Sequence, residues 1–161
     1  MIKIITGKVN AGKTTTLLKT YRLDRKGDGF AAIKKMNGNE VYGYNMLHLS
    51  NDNIIPWMVH QKYFLRDFTK TGKFGPFYLN LDLLAMLESI IDELIAQRIS
   101  PIYLDEVGVL EINGGGYHNI LKKLLSSGLD LVITVRDDLV KPVASHFDIN
   151  DYELVQVQGE E

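Results

Sequence analysis

Cysteine is absent from the 161 residues, so disulfides and thiolate metal sites are excluded. The four histidines, His48, His60, His118 and His146, are scattered without metal-ligand spacing. No uncharged apolar run is long enough for a membrane span. The longest apolar stretch, Leu81 to Ala96, carries Asp82, Glu88, Asp92 and Glu93. Charge of one sign is lacking too: the formal net charge of −2 leaves no electrostatic footprint for nucleic acid or an anionic membrane. The first apolar run stops at Thr6, unlike a secretory signal, which makes a soluble cytoplasmic protein the expectation. There is no internal repeat and no low-complexity segment. What is present is ordinary globular composition, 45 % hydrophobic and 24 % charged, predicting one compact domain over residues 1–161.

Along the chain, Ile2, Ile4 and Ile5 read as a buried strand that stops at Thr6-Gly7. Lys13 through Tyr21 suits a helix with one apolar side, closed by Gly27-Asp28-Gly29. Phe30 to Met36 and Val41 to Leu49 flank Asn37-Gly38, which predicts a β-hairpin. Ser50 to Pro56 reads as loop, Tyr63 to Phe68 as a strand, and Thr69 to Pro76 as a Gly/Lys-rich loop. Asn80 caps an amphipathic helix from Leu81 to Arg98, with Leu84, Leu87, Ile91, Leu94 and Ile95 on one stripe. After Pro101 come a strand at Ile102 to Leu104, a helix at Tyr117 to Ser126 and a strand at Leu131 to Val135. A helix at Leu139 to Phe147, capped by Asp137 or Asp138, and a strand at Tyr152 to Val157 complete the chain. Alternation of this kind predicts an α/β fold: a mainly parallel sheet covered on both faces, with the hairpin as an edge excursion.

Chemistry concentrates at two strand ends. Gly7-Lys8-Val9-Asn10-Ala11-Gly12-Lys13-Thr14 matches the phosphate-binding loop (Walker A) pattern at every fixed position, between a predicted strand and a predicted helix. A triphosphate needs backbone N–H groups aimed inward, and glycines let the chain wrap closely. The following helix adds its positive N-terminal end. In that pattern Lys13 reaches the β- and γ-phosphates, and Thr14 offers a hard oxygen to Mg²⁺. Ile102-Tyr103-Leu104-Asp105 is an apolar run ending in Asp, so Asp105 is the candidate to hold Mg²⁺ through water, and Glu106 to orient and deprotonate an attacking water. Arg136 follows Val135 at the same sheet edge. It has two readings of equal weight: a cation for the γ-phosphate, or a partner for Asp137 or Asp138. Arg22, Arg25, Arg66 and Lys73 read as surface cations.

The residues Ile5-Thr6-Gly7 through Thr15, Gly29-Phe30, and above all Leu104-Asp105-Glu106-Val107-Gly108-Val109-Leu110-Glu111 resemble the Thep-type nucleoside-triphosphatases. Lys73-Phe74-Gly75 and Thr134-Val135-Arg136-Asp137 also fall where that family's pattern puts such segments. The resemblance implies a P-loop NTPase fold, a RecA-like three-layer sandwich. It implies slow, Mg²⁺-dependent hydrolysis of ATP, GTP and other nucleoside triphosphates with low base selectivity. It would assign Gly7, Lys8, Val9, Asn10, Ala11, Gly12, Lys13, Thr14 and Thr15 to phosphate, Asp105 to Mg²⁺ and Glu106 to the base. Glu111 matches a family glutamate, for which shaping its loop is the preferred role. Two segments depart from the pattern: Ala31-Ala32-Ile33-Lys34-Lys35 replaces a Thr/Glu/Arg-containing stretch, and Ile112-Asn113-Gly114-Gly115-Gly116 is glycine-rich and lacks a serine.

The alternatives are a nucleoside or nucleotide kinase and a regulator acting through a protein partner. The first is weakened by the want of clustered arginines. The second would use the aromatic region of Tyr42, Tyr44 and Trp57, where core packing is the plainer use of those rings.

Overall fold

Ile4 and Ile5 are adjacent and both fully buried, in separate apolar clusters on opposite faces of a sheet. Only a strand covered on both sides does this, as the β-branched opening requires. That strand is β1 (Ile2–Gly7) in a computed structural model that describes residues 1–159; the last two residues of the expected 1–161 domain lie outside them. Beside β1 stand β2 (Asp28–Asn37), β7 (Ile102–Leu104), β8 (Leu131–Arg136) and β9 (Glu153–Gln156), all parallel in the order β2-β7-β8-β1-β9.

One face is covered by α1 (Lys13–Asp24), whose Leu17 packs with Ile5, Ala31, Tyr103 and Val132. The other carries α2 (Leu81–Ala96), α4 (His118–Ser127) and α5 (Val140–His146), burying Leu87, Ile91, Leu121, Leu124 and Val143 against Ile4, Leu104 and Ile133. Each such side chain contributes roughly 1.5–3 kcal/mol by leaving water. Asn80 caps α2 as expected, its Oδ1 accepting from the Leu83 N–H at 3.4 Å. The buried stripe is Leu83, Leu87, Ile91 and Leu94; Leu84 and Ile95 lie at its margin.

The other half of the sheet departs from expectation. β3 (Glu40–His48), β4 (Ile54–His60), β6 (Phe77–Asn80) and β5 (Thr71–Phe74) continue outward from β2, all antiparallel. The sheet is therefore mixed, and the predicted hairpin is the root of a four-strand extension. Pro56 obscured β4, yet it sits at a bulge: Tyr44 pairs with Met58 and Asn45 with Pro56, leaving Trp57 as the extra residue. The expected Thr69–Pro76 loop is half of a tight hairpin, turning at Gly75-Pro76 with Gly75 at φ 56°. Tyr63 to Phe68 forms no strand. Phe64 instead stacks on Tyr78 and packs on Phe68, and Arg66 takes φ 60°.

Two smaller features were not anticipated. A short helix, α3 (Val109–Ile112), follows the acidic strand end, and a 3-10 turn at Asp137–Leu139 precedes α5. Neither Asp137 nor Asp138 caps α5; the Asp138 N–H turns back to Asp137 Oδ1 at 2.8 Å. At the far end of β2, buried Asp28 accepts from the Gly29 and Ser50 N–H groups and pairs with His48, fixing the turn between β3 and β4.

Candidate active site

The loop between β1 and α1 ends on Gly12, whose φ of 96° and Asn10's φ of 62° turn the backbone inward. No side chain caps α1 and no acidic residue occupies its first turn, so its N-terminus offers its N–H groups and positive end to an anion. Gly7 has a second reason to be glycine: a Cβ there would lie 2.8 Å from the Val157 carbonyl. Lys13 is 7 % exposed, and its ammonium donates to the Lys8 carbonyl at 2.8 Å and the Gly7 carbonyl at 3.3 Å. The cation is thereby held across the mouth of the loop.

Asp105, at the end of β7, is fully buried. Its Oδ2 accepts from the Thr14 hydroxyl at 2.8 Å and the Ala32 N–H at 3.0 Å, and its Oδ1 accepts from the Thr134 hydroxyl at 2.6 Å. Burial raises its pKa; these three bonds and the Lys13 charge oppose that and favour the carboxylate. Thr14 and Asp105, predicted 91 residues apart in sequence to share a site, are thus in direct contact. A pair of hard oxygen donors with no soft ligand beside them fits Mg²⁺, which takes few protein ligands and completes its shell with phosphate and water.

Glu106 stands one residue beyond the strand with φ 66°, a left-handed conformation that costs a non-glycine residue of order 1–3 kcal/mol. Its N–H donates to Thr134 Oγ1 at 2.7 Å, so Thr134 bridges the two acidic residues. The side chain reaches solvent, while surrounding protein and the Asp105 charge raise its pKa against the pull of Lys13, Lys34 and Arg136. A carboxyl so placed can accept a proton from water.

Arg136 does emerge at this edge. Of its two readings, the structure shows the local pair: Nε and Nη2 donate to the two carboxylate oxygens of Asp138 at 2.5 and 2.9 Å. Glu111 is buried, accepting from the Gly108 N–H at 2.7 Å and the Tyr117 N–H at 2.9 Å, which joins α3 to the start of α4. The glycine-rich stretch before Tyr117 serves this joint, since a Cβ at Gly116 would lie 2.1 Å from Glu111 Oε2. Trp57 is core, as its plainer reading had it.

Sequence reasoning noted Thr134 only as part of a family-like segment, without a role, and missed the Ala32 N–H. A threonine inside a buried strand is unremarkable by propensity, and a backbone donor leaves no mark in a sequence. It also overlooked Lys34, whose Nζ donates to Asn10 Oδ1 at 2.5 Å. A surface hollow of about 500 Å³ among Gln61, Phe64, Phe68 and Tyr78 includes none of these residues and lies on the outer strands.

A loop of inward-turned N–H groups, a buried lysine and two adjacent carboxyls gathered at the carboxyl edge of a parallel sheet suit a nucleotide-binding α/β protein. A family model described as NTPase matches residues 3–161. The chain belongs to this NTPase family, and hydrolysis of nucleoside triphosphates is the activity that membership assigns to it. It is 25 % identical over 154 residues to "Nucleoside-triphosphatase THEP1" of Thermotoga maritima, covering 94 % of this chain and 84 % of that one. A relative of the same name in Natranaerobius thermophilus is 27 % identical over 137 residues, covering 82 % and 73 % respectively. The fold is also that of THEP1 from Aquifex aeolicus, with a TM-score of 0.67 at 17 % identity over 98 % of this chain and 90 % of that one. A human cancer-related nucleoside triphosphatase gives 0.69 at 16 %, over 98 % and 89 %.

Proposed function

We propose that the chain is a single-domain, cytoplasmic, Mg²⁺-dependent hydrolase converting nucleoside 5′-triphosphates, ATP and GTP among them, to diphosphate and phosphate. The observation that carries this reading is the 2.8 Å contact between Thr14 and buried Asp105, with Glu106 as the next residue. It joins a phosphate-binding loop to a candidate base. The insertion of β8 between β7 and β1 supports the finer description of the fold as RecA-like.

In this reading the loop from Gly7 to Thr15 wraps the phosphates, and Lys13 binds the β- and γ-phosphate oxygens. Thr14 would hold Mg²⁺, with Asp105 through water, and the ion would supply neutralisation of the phosphate charge. Glu106 orients a water facing the γ-phosphate. The water oxygen bonds to phosphorus, the bond to the β–γ bridging oxygen breaks, and Glu106 receives the water's proton. The diphosphate leaves with the electron pair of the broken bond.

The left-handed backbone at Glu106 supports the assignment, since strain of that kind gathers where a side chain must be aimed. The pairing of Arg136 with Asp138 supports slow turnover. Low base selectivity is in keeping with a site whose described polar contacts all lie at the phosphate end. Among the described residues no helix is long and apolar enough to cross a membrane, and the near-neutral charge offers nucleic acid nothing.

The test is phosphate release from ATP and GTP with Mg²⁺, with and without a nucleoside or nucleoside monophosphate as acceptor. Release independent of acceptor is expected. Transfer seen only with an acceptor would make the chain a kinase.

A further inference from the structure

Phosphoryl transfer needs a cation over the charge that develops on the γ-phosphate, besides the lysine of the loop. Of the five arginines four stand away from the loop, and Arg136, which does emerge at this edge, is held at two points by Asp138. Arg98 donates to the Ser127 carbonyl at the opposite end of the molecule. Arg22 and Arg25 sit at the end of α1 remote from the loop, and Arg66 borders the outer hollow. Within this chain the position is open to another cation.

β2 supplies it. Only Asp28 to Phe30 pair with β7, so the seven residues that follow run past the end of the parallel strands, backed by β3 alone. This overhang stands beside the phosphate-binding loop: the Ala32 N–H meets Asp105 and the Lys34 ammonium meets Asn10. Lys34 lies directly opposite Tyr44 on β3, and directly paired residues share a face of the sheet. Lys35, one residue on, is spent elsewhere, 4.9 Å above the Tyr42 ring.

We infer that Lys34 is a catalytic residue, the cation that contacts the γ-phosphate during hydrolysis. The inference rests on the hydrolase reading above. Asn10 holds the ammonium at the tip of the loop, from which it would pass to a phosphate oxygen. Lys34 forms no covalent bond and gives up no proton; it offsets charge on the γ-phosphate oxygens while the bridging bond breaks. A lysine in this place is a mobile point charge rather than a fixed fork, consistent with a slow enzyme.

The test compares Lys34→Gln, Lys34→Arg and Lys35→Gln with the wild type, reading kcat and KM for phosphate release. It also reads Kd for ADP alone and for ADP with aluminium fluoride, which imitates the phosphoryl group in transit. Lys34 is exposed, so glutamine there keeps the fold and can still bond to Asn10. The expected result for Lys34→Gln is a kcat lowered by about tenfold or more, an ADP Kd within about twofold of wild type, and loss of the tightening that aluminium fluoride confers. Lys34→Arg restores most of kcat, and Lys35→Gln behaves as wild type. A Lys34→Gln kcat within about twofold of wild type, or equal loss of ADP and ADP–aluminium fluoride binding, overturns the inference. Absence of phosphate release from the wild type would instead overturn the hydrolase reading.

Discussion

Glu111 is a buried carboxyl that holds two backbone segments together, and burial pushes its pKa up to about 7 although the Tyr117 and Gly108 N–H groups pull it down. An unfolded chain would return it to its ordinary value of 4.5. The native state therefore binds the extra proton between these values, so its contribution to stability is complete below 4.5 and lost as pH rises through about 7. Glu111→Gln should remove that component: urea midpoints at pH 5 and pH 8 should differ less in the variant than in the wild type. The variant should also be less stable at both, since one N–H loses its acceptor at a cost of about 1–3 kcal/mol. An unchanged pH difference would mean that the carboxyl is not buried in this way.

Lys13 gives a second residue-scale prediction. Lys13→Ala should weaken triphosphate binding by at least about tenfold while adenosine binding changes much less, measured by titration calorimetry. Equal losses would place the phosphates elsewhere. At this scale Lys13, Thr14, Asp105 and Glu106 were legible because each has a fixed place relative to a strand end. Thr134 was not, because its importance comes from a neighbouring strand's register, with Leu104 opposite Ile133. Lys34 was not, because nothing local says that β2 outruns its partner.

Among the elements, the parallel strands and the long helix could be read directly, as continuous β-branched runs and a 3.6-residue stripe. The antiparallel half could not. Pro56 looks like a loop residue until the bulge at Trp57 is known, and Tyr63 to Phe68 has strand composition but spends its rings on Tyr78. β2 lies tightly beside β7 at Gly29, whose φ is 156° and where a Cβ would lie 2.0 Å from the Tyr103 carbonyl. Gly29→Ala should force the two strands apart. We expect a loss of roughly 2 kcal/mol or more in urea unfolding, together with lower activity, because Ala32 and Lys34 ride on the same strand. A stable, fully active Gly29→Ala protein would show that β2 and β7 do not meet this closely.

For the whole molecule, the mixed sheet divides labour. The parallel half presents the phosphate loop and the acidic strand end along one edge, as open α/β sheets do at the carboxyl ends of their strands. The antiparallel half grows from β2 and walls that edge on one side, bringing the Ala32 N–H to Asp105 and the Lys34 ammonium to Asn10. The alternation of strands and helices predicted the parallel half, and the strand ends placed Thr14 and Asp105 at one site, where the structure adds their direct contact. The departure at Ala31 to Lys35, noted in the sequence only as a difference, proves to be the part of the wall nearest the loop. The hydrolytic reading of this phosphate-binding site turns on Glu106. Its most direct measurement is steady-state phosphate release and Mg-ATP binding by Glu106→Gln beside the wild type. The account predicts unchanged binding, within about threefold, and release lowered by about a hundredfold or more. A variant that binds Mg-ATP and releases phosphate at the wild-type rate would contradict it.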